Sequence, residues 1–154
     1  MSKNTLIISL FMVSMLYPHV CHSEDLYFNK MEVVKNEIAG PDINGNGVRD
    51  DLDDYVDSLP DNESQKRALR QGFRTLREAI LIDTADKNAV LDVMKKSAAS
   101  VWCIYSQYDS DAGKKSHDVE KYSINTKARL KAYAAFNAAA SGRSAAMPKG
   151  DGCE

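Results

Sequence analysis

Between residues 62 and 82 the chain places Leu69, Phe73, Leu76 and Ile80 at intervals of four, three and four. That rhythm keeps the four side chains on one stripe of a helix and would scatter them over both faces of a strand. The constraint recurs along the chain. Over 86–108 the inner side is marked by Val90, Val93, Met94, Val101, Ile104, Tyr105 and Tyr108, and over 118–141 by Val119, Tyr122, Leu130, Tyr133 and Phe136. A short segment from Asp50 to Leu59 carries Leu52, Tyr55, Val56 and Leu59 on one face, with acidic residues at its start, where the helix dipole favours them. Residues 24–39 hold Leu26, Tyr27, Phe28, Met31, Val34 and Ile38 before Gly40-Pro41 ends the segment. No segment alternates as a half-buried strand would, and no internal repeat is present. The pattern predicts an all-α fold, an irregular antiparallel bundle of four to five helices joined by short loops. The run DSDAGKKSHD at 109–118 reads as a polar loop, Gly142 as a helix stop, and 143–154 as a tail.

The beginning of the chain has a different character. Lys3 is followed by an apolar run over 5–17, then by Pro18 and by Cys21-His22-Ser23. A positive start, a short apolar core and small residues before a cleavage point are the order of a secretory signal peptide, with Glu24 as the first mature residue. The run is shorter than the roughly 20 apolar residues a membrane-spanning helix needs. A retained anchor is the rival reading; the residues before Cys21, Tyr-Pro-His-Val, do not form a lipobox. The predicted layout is therefore a leader over 1–23 and one helical domain over 24–154, located in the periplasm or secreted, with no transmembrane segment in the mature chain. Once Cys21 leaves with the leader, Cys103 and Cys153 remain, and export permits them to pair. Such a bridge closes a loop of about 50 residues, which the chain-entropy model values at about 4 kcal/mol at most. The charge is nearly balanced, 20 Lys+Arg against 22 Asp+Glu for a net of −2, so nothing global points to a nucleic-acid partner.

The most specific local feature is Asp42-Ile-Asn44-Gly-Asn46-Gly47-Val48-Arg-Asp50-Asp-Leu-Asp53. Calcium takes six to eight oxygens, at roughly 2.3–2.6 Å, in a flexible cage. A tight loop supplies them from alternate residues at positions 1, 3 and 5, a glycine at 6 for the bend, a backbone carbonyl at 7, a side chain or water at 9, and a carboxylate at 12 on the following helix. Asp42, Asn44, Asn46, Gly47, Val48, Asp50 and Asp53 fill those slots in order. The plain alternative is a polar turn, since Asn-Gly occurs twice, but the alternating apolar flanks of a hairpin are absent. The twelve residues resemble the EF-hand-like loops of exported bacterial proteins and the thrombospondin type 3 pattern. They depart from it at Asn44 and Asn46, neutral where aspartate is usual, and from the EF-hand also at Asp53, where a longer glutamate is usual. Arg49 replaces an apolar residue, and Pro41 interrupts any entering helix. Three ligand carboxylates predict weak binding, roughly 10⁻⁵ to 10⁻³ M.

Other groupings carry less. Arg67, Arg70, Arg74 and Arg77 form a basic row opposite Leu69, Phe73 and Leu76. It reads as a solvated face, paired in part with the acids at 50–57, or else as a docking strip for an anionic partner. Ser116-His117-Asp118 is not a catalytic triad, because neighbours in sequence do not aim their side chains at one another. No metalloprotease, nucleophile-elbow, phosphate-loop or dinucleotide motif occurs. Trp102, Tyr105 and Tyr108 read as packing, or as an aromatic ligand pocket.

Taken together, NGNGVRDDLDDYV, QKRALRQGFR, Cys103 in an aromatic helix, NTKARLKAY at 125–133 and the cysteine near the end resemble a family of uncharacterised exported proteins of Gram-negative bacteria. The resemblance implies a periplasmic or secreted location and supports the Cys103–Cys153 pairing; it brings no activity. The sequence thus predicts a small exported helical protein with a weak structural calcium loop, acting by binding to a protein or envelope partner rather than by catalysis. Two other readings compete: a periplasmic immunity or inhibitor protein against a secreted toxin, and an envelope hydrolase assembled from scattered carboxylates.

Overall fold

The computed structural model describes residues 23–154; the side chains of 23–29 and 31 are outside the description. The predicted leader, apart from Ser23, lies outside the described residues. What is described is all-α: α1 (Ser23–Ala39), α2 (Asp50–Ser58), α3 (Glu63–Leu81), α4 (Lys87–Tyr108), a 3₁₀ turn (Asp109–Asp111), α5 (Ala112–Ser123) and α6 (Lys127–Ala140). No helix among the described residues is long and apolar enough to cross a membrane.

Local chemistry sets the helix ends. Asn62 opens α3 with a capping box: its side chain accepts from the Gln65 backbone N–H, and the Gln65 side chain accepts from the Asn62 N–H. Asp86 opens α4 by accepting from the N–H groups of Asn88 and Ala89, and Thr126 opens α6 by accepting from Arg129 N–H.

The packing is organised around α3, which touches each of the other five helices. Its apolar stripe behaves as the spacing predicts: Leu69, Phe73 and Ile80 are buried and Leu76 is half-buried. Around Phe73 and Leu69 gather Val48, Leu52 and Val56 from the loop and α2, Ile104 and Cys103 from α4, and Val119 from α5. A smaller cluster joins Ala79 to Val90, Val93 and Phe136. Gly72 is where α3 meets its neighbours most closely. A Cβ there would come within 3.1 Å of Val119 and 3.3 Å of Ile104, so the absent side chain sets the spacing.

Several expectations change. The single helix expected over 118–141 is two, broken at 124–126, and most of the expected polar loop at 109–118, from Ala112 onward, belongs to α5. Thr126 caps a new helix instead of continuing the old one, which resets the rotational phase, and Leu130 is left 53% exposed. On α4, Val101 and Tyr105 are 43% and 50% exposed while Val90, Val93, Ile104 and Tyr108 are buried. On α1, Val33 and Val34 are exposed, and the burial begins only at Ile38.

Two buried arginines join elements at helix C-termini. The Arg129 guanidinium donates to the carbonyls of Ile38 (2.8 Å) and Glu37 (3.5 Å) at the end of α1. Arg49 donates to the Tyr122 carbonyl (3.2 Å) at the end of α5, while its other face forms a two-pronged pair with Asp51. A cation at the unsatisfied carbonyls of a last helical turn is favoured both by hydrogen bonding and by the dipole.

Cys103 and Cys153 form a disulfide, with Cα atoms 4.8 Å apart. The tail is further held by Trp102 Nε1 donating to the Gly150 carbonyl (2.9 Å), Gln71 Nε2 to the Gly152 carbonyl (2.9 Å), and Arg74 pairing with Glu154 (2.8 Å).

Candidate metal centre

Residues 42–53 fold back on themselves through a series of local side-chain-to-backbone hydrogen bonds. The Gly47 N–H donates to Asp42 Oδ2 at 3.1 Å, linking positions 1 and 6. The Val48 N–H donates to Asn46 Oδ1 at 2.7 Å, and the Asn46 N–H to Asn44 Oδ1 at 3.1 Å. Gly45 and Gly47 sit at φ +69° and +82°, a region L-residues with a Cβ rarely adopt. Each bond ties a side-chain oxygen to a backbone N–H two to five residues further on, and Gly45 and Gly47 supply bends between them.

The three carboxylates have different surroundings. Asp42 is 10% exposed; its Oδ2 also meets Arg77 Nη1 at 3.2 Å, and its Oδ1 is buried without a hydrogen-bond partner. Asp50 Oδ1 accepts from the Ile43 N–H at 2.9 Å, closing the start of α2 onto the loop. Asp53 sits one turn into α2. Its Oδ2 accepts from the carboxamides of Asn46 (2.6 Å) and Asn44 (3.2 Å), and its Oδ1 from Arg70 Nε (2.8 Å). Burial alone would raise the Asp53 carboxyl, but the Arg70 guanidinium and the two amides outweigh it and hold it below the ordinary carboxylate range.

All six predicted ligand positions are therefore on one loop and one helical turn. Val48, the carbonyl position, is fully buried against the core and anchors the loop to Phe73 and its neighbours. Among the described residues, no three His, Cys, Asp or Glu side chains form a group that could hold a metal ion. Any cation here would draw on neutral oxygens, those of Asn44, Asn46 and the Val48 carbonyl, as much as on carboxylates.

The arginine row on α3 resolves into specific pairs. Arg70 bridges Asp53 and Asp57 of α2, Arg74 takes Glu154, and Arg77 takes Asp42; Arg67 donates to Ser64 of its own helix. Arg70 and Arg77 were not among the predicted site residues. Their 3-4-3 spacing opposite the apolar stripe was the available signal, since it places them on whatever packs against that side of α3.

The remaining sequence candidates do not converge on one another. His117 is exposed on α5. Tyr108 is buried and donates to Asp61 (2.7 Å), Trp102 lies under the tail, and Tyr105 faces solvent, so the three aromatics form no common pocket.

Comparison with family models, with characterised proteins and with solved structures returns no match.

Proposed function

We propose that residues 42–53 are a structural calcium loop in an exported helical protein that works by binding rather than by catalysis. The observation that carries the loop reading is Asp42 Oδ1, a buried carboxylate oxygen with no partner, on a residue whose other oxygen already makes the contact to position 6. Leaving such an oxygen buried and unpaired is costly, and a cation is the partner a carboxylate oxygen favours most. Asp42, Asn44, Asn46, the Val48 carbonyl, Asp50 and Asp53 would hold it. The ion would supply positive charge and geometric order, fixing how α1 is joined to α2. Arg70 and Arg77 already share the charge of Asp53 and Asp42, which supports weak binding, of the kind suited to the calcium found outside cells.

Export is supported by the order of residues 1–23, and the binding role by the lack of a catalytic motif in the sequence. The loop reading is tested by calorimetric titration with calcium, paired with thermal melts. Calcium at a hundred times its dissociation constant should stabilise the fold by about 2.7 kcal/mol. Absence of both heat and a melting shift at about 10 mM calcium, above the weakest dissociation constants of such sites, would sink the reading. Affinity capture from envelope extract, with and without calcium, addresses the partner; recovery of a secreted toxin would instead favour the immunity-protein reading.

A further inference from the structure

On the side of α3 turned away from its arginine row, α3, α4, α5 and α6 enclose a cleft of about 320 Å³. That is at the lower end of the volumes that hold small ligands. Leu76, Ile104, Val119 and Phe136 supply its apolar lining, interspersed with the hydroxyl side chains of Thr75, Ser97, Ser100 and Ser116, and Gly72 lets α3 pack close to Val119 and Ile104. Its polar end is made by Glu120 of α5 together with Tyr133 and Asn137 of α6. No lysine, arginine or histidine lines it. Glu120 is half-buried and enters none of the ion pairs among the described residues. The Tyr133 hydroxyl faces it, and burial together with the Glu120 charge pushes that phenol above its ordinary range.

We propose that this cleft binds a small apolar amine, a protonated nitrogen carried on an aromatic or short alkyl body, with the ammonium on Glu120 and the hydrocarbon against Phe136, Ile104 and Leu76. The charge pattern selects this class. An anion would meet the Glu120 carboxylate, whose near partner is the neutral Tyr133 hydroxyl, and no cation. A neutral hydrocarbon would cover Glu120 without giving it a partner, and an uncompensated charge is expensive to desolvate. A cation on an apolar body satisfies both ends at once, and its ammonium donors suit the Glu120 carboxylate, the Asn137 carbonyl and the Tyr133 oxygen. The proposal gives the binding role a site, and it is independent of calcium, since the loop lies against the opposite side of α3.

The test uses three probes of similar shape on the purified protein: phenethylamine, phenethyl alcohol and 3-phenylpropionate, followed by calorimetry and by amide chemical shifts. The amine should bind at least about tenfold tighter than the alcohol, with the carboxylate weakest, and the shifts should map to α4, α5 and α6. Glu120→Gln should bring amine and alcohol to similar affinity, and Ala140→Phe, which fills the cleft, should weaken both. Equal binding of amine and alcohol to the unaltered protein would overturn the proposal, as would preference for the carboxylate or no binding at millimolar probe. This ranking needs no variant, so it decides the matter even where a substitution impairs folding. A failure here leaves the calcium titration untouched, and the reverse holds equally.

Discussion

Arg77 Nη1 stands 3.2 Å from Asp42 Oδ2, and the neighbouring oxygen of the same carboxylate is buried with no partner. One half of Asp42 is thus committed to α3 and to the Gly47 N–H, and the other half is available. If that oxygen is a calcium ligand, Asp42→Asn should lower calcium affinity by about tenfold or more, because ligand charge sets affinity in such loops. Asp50→Asn should have a smaller effect, since an Asp50 oxygen is already held by Ile43. Calorimetry on both variants checks this; equal affinities in Asp42→Asn and the parent protein would remove Asp42 from the ligand set.

Gly40 and Gly45 separate two kinds of strain. Both have positive φ, +70° and +69°. A Cβ at Gly45 would meet nothing within 4 Å, whereas one at Gly40 would lie 2.3 Å from the Arg49 side chain. Gly45→Ala should therefore cost only the backbone penalty, about 1–2 kcal/mol. Gly40→Ala should cost more, since buried Arg49 must leave the Tyr122 carbonyl to make room. Urea denaturation of the two variants gives the comparison, and equal midpoints would refute the packing part of it.

The disulfide and the contacts around it hold the tail across α3 and α4. Cys153→Ser should cost about 2–5 kcal/mol, the usual range for losing a native bridge in a small domain. It should also release the Gly150 carbonyl from Trp102, shifting the emission of the single tryptophan to the red. A variant with unchanged emission and midpoint would show that the non-covalent contacts suffice.

Asp61 links α3's start to α4 and α5, accepting from Tyr108 (2.7 Å) and Lys115 (2.6 Å) while only 13% exposed. Burial pushes its carboxyl up, but the Lys115 ammonium and the Tyr108 hydroxyl outweigh it, and the group lies below its ordinary value of 3.8. A carboxyl depressed in the folded protein contributes stability that is fully present above its unfolded pKa and is lost as pH falls through the folded one. The loss should begin below about pH 4. Asp61→Asn should flatten that acid limb of the stability–pH curve, measured by denaturation from pH 7 downward; an unchanged limb would assign it to other carboxylates.

The helices were legible where apolar residues recur on one stripe, as in α3, and where a cap residue announces a start, as at Asn62 and Asp86. The break at 124–126 was not legible, because Val119, Tyr122 and Tyr133 continue a tolerable rhythm across it and Thr126 can be read as an interior residue. Val101 and Tyr105 look inward by their spacing, but Val101 borders the open cleft and Tyr105 is half exposed. The turn at 42–53 was visible because its glycines and asparagines act locally. Its link to Arg70 and Arg77 was not, because those partners come from another helix and only the fold brings them within reach. The cleft around Glu120 is assembled from four helices and has no local signature at all.

The row of arginines along α3 ties down the loop through Asp42, α2 through Asp53 and Asp57, and the tail through Glu154. The four pairs differ in exposure: the carboxylates of Asp57 and Glu154 are 66% and 61% exposed and open to screening by dissolved salt, whereas those of Asp42 and Asp53 are only 10% exposed and are screened much less. The hydrophobic contacts of α3 with α4 and α5 do not share that sensitivity. Salinity therefore acts on this protein unevenly, weakening the outer contacts of the row at Asp57 and Glu154 while the loop, the disulfide-held tail and the packed centre keep their places.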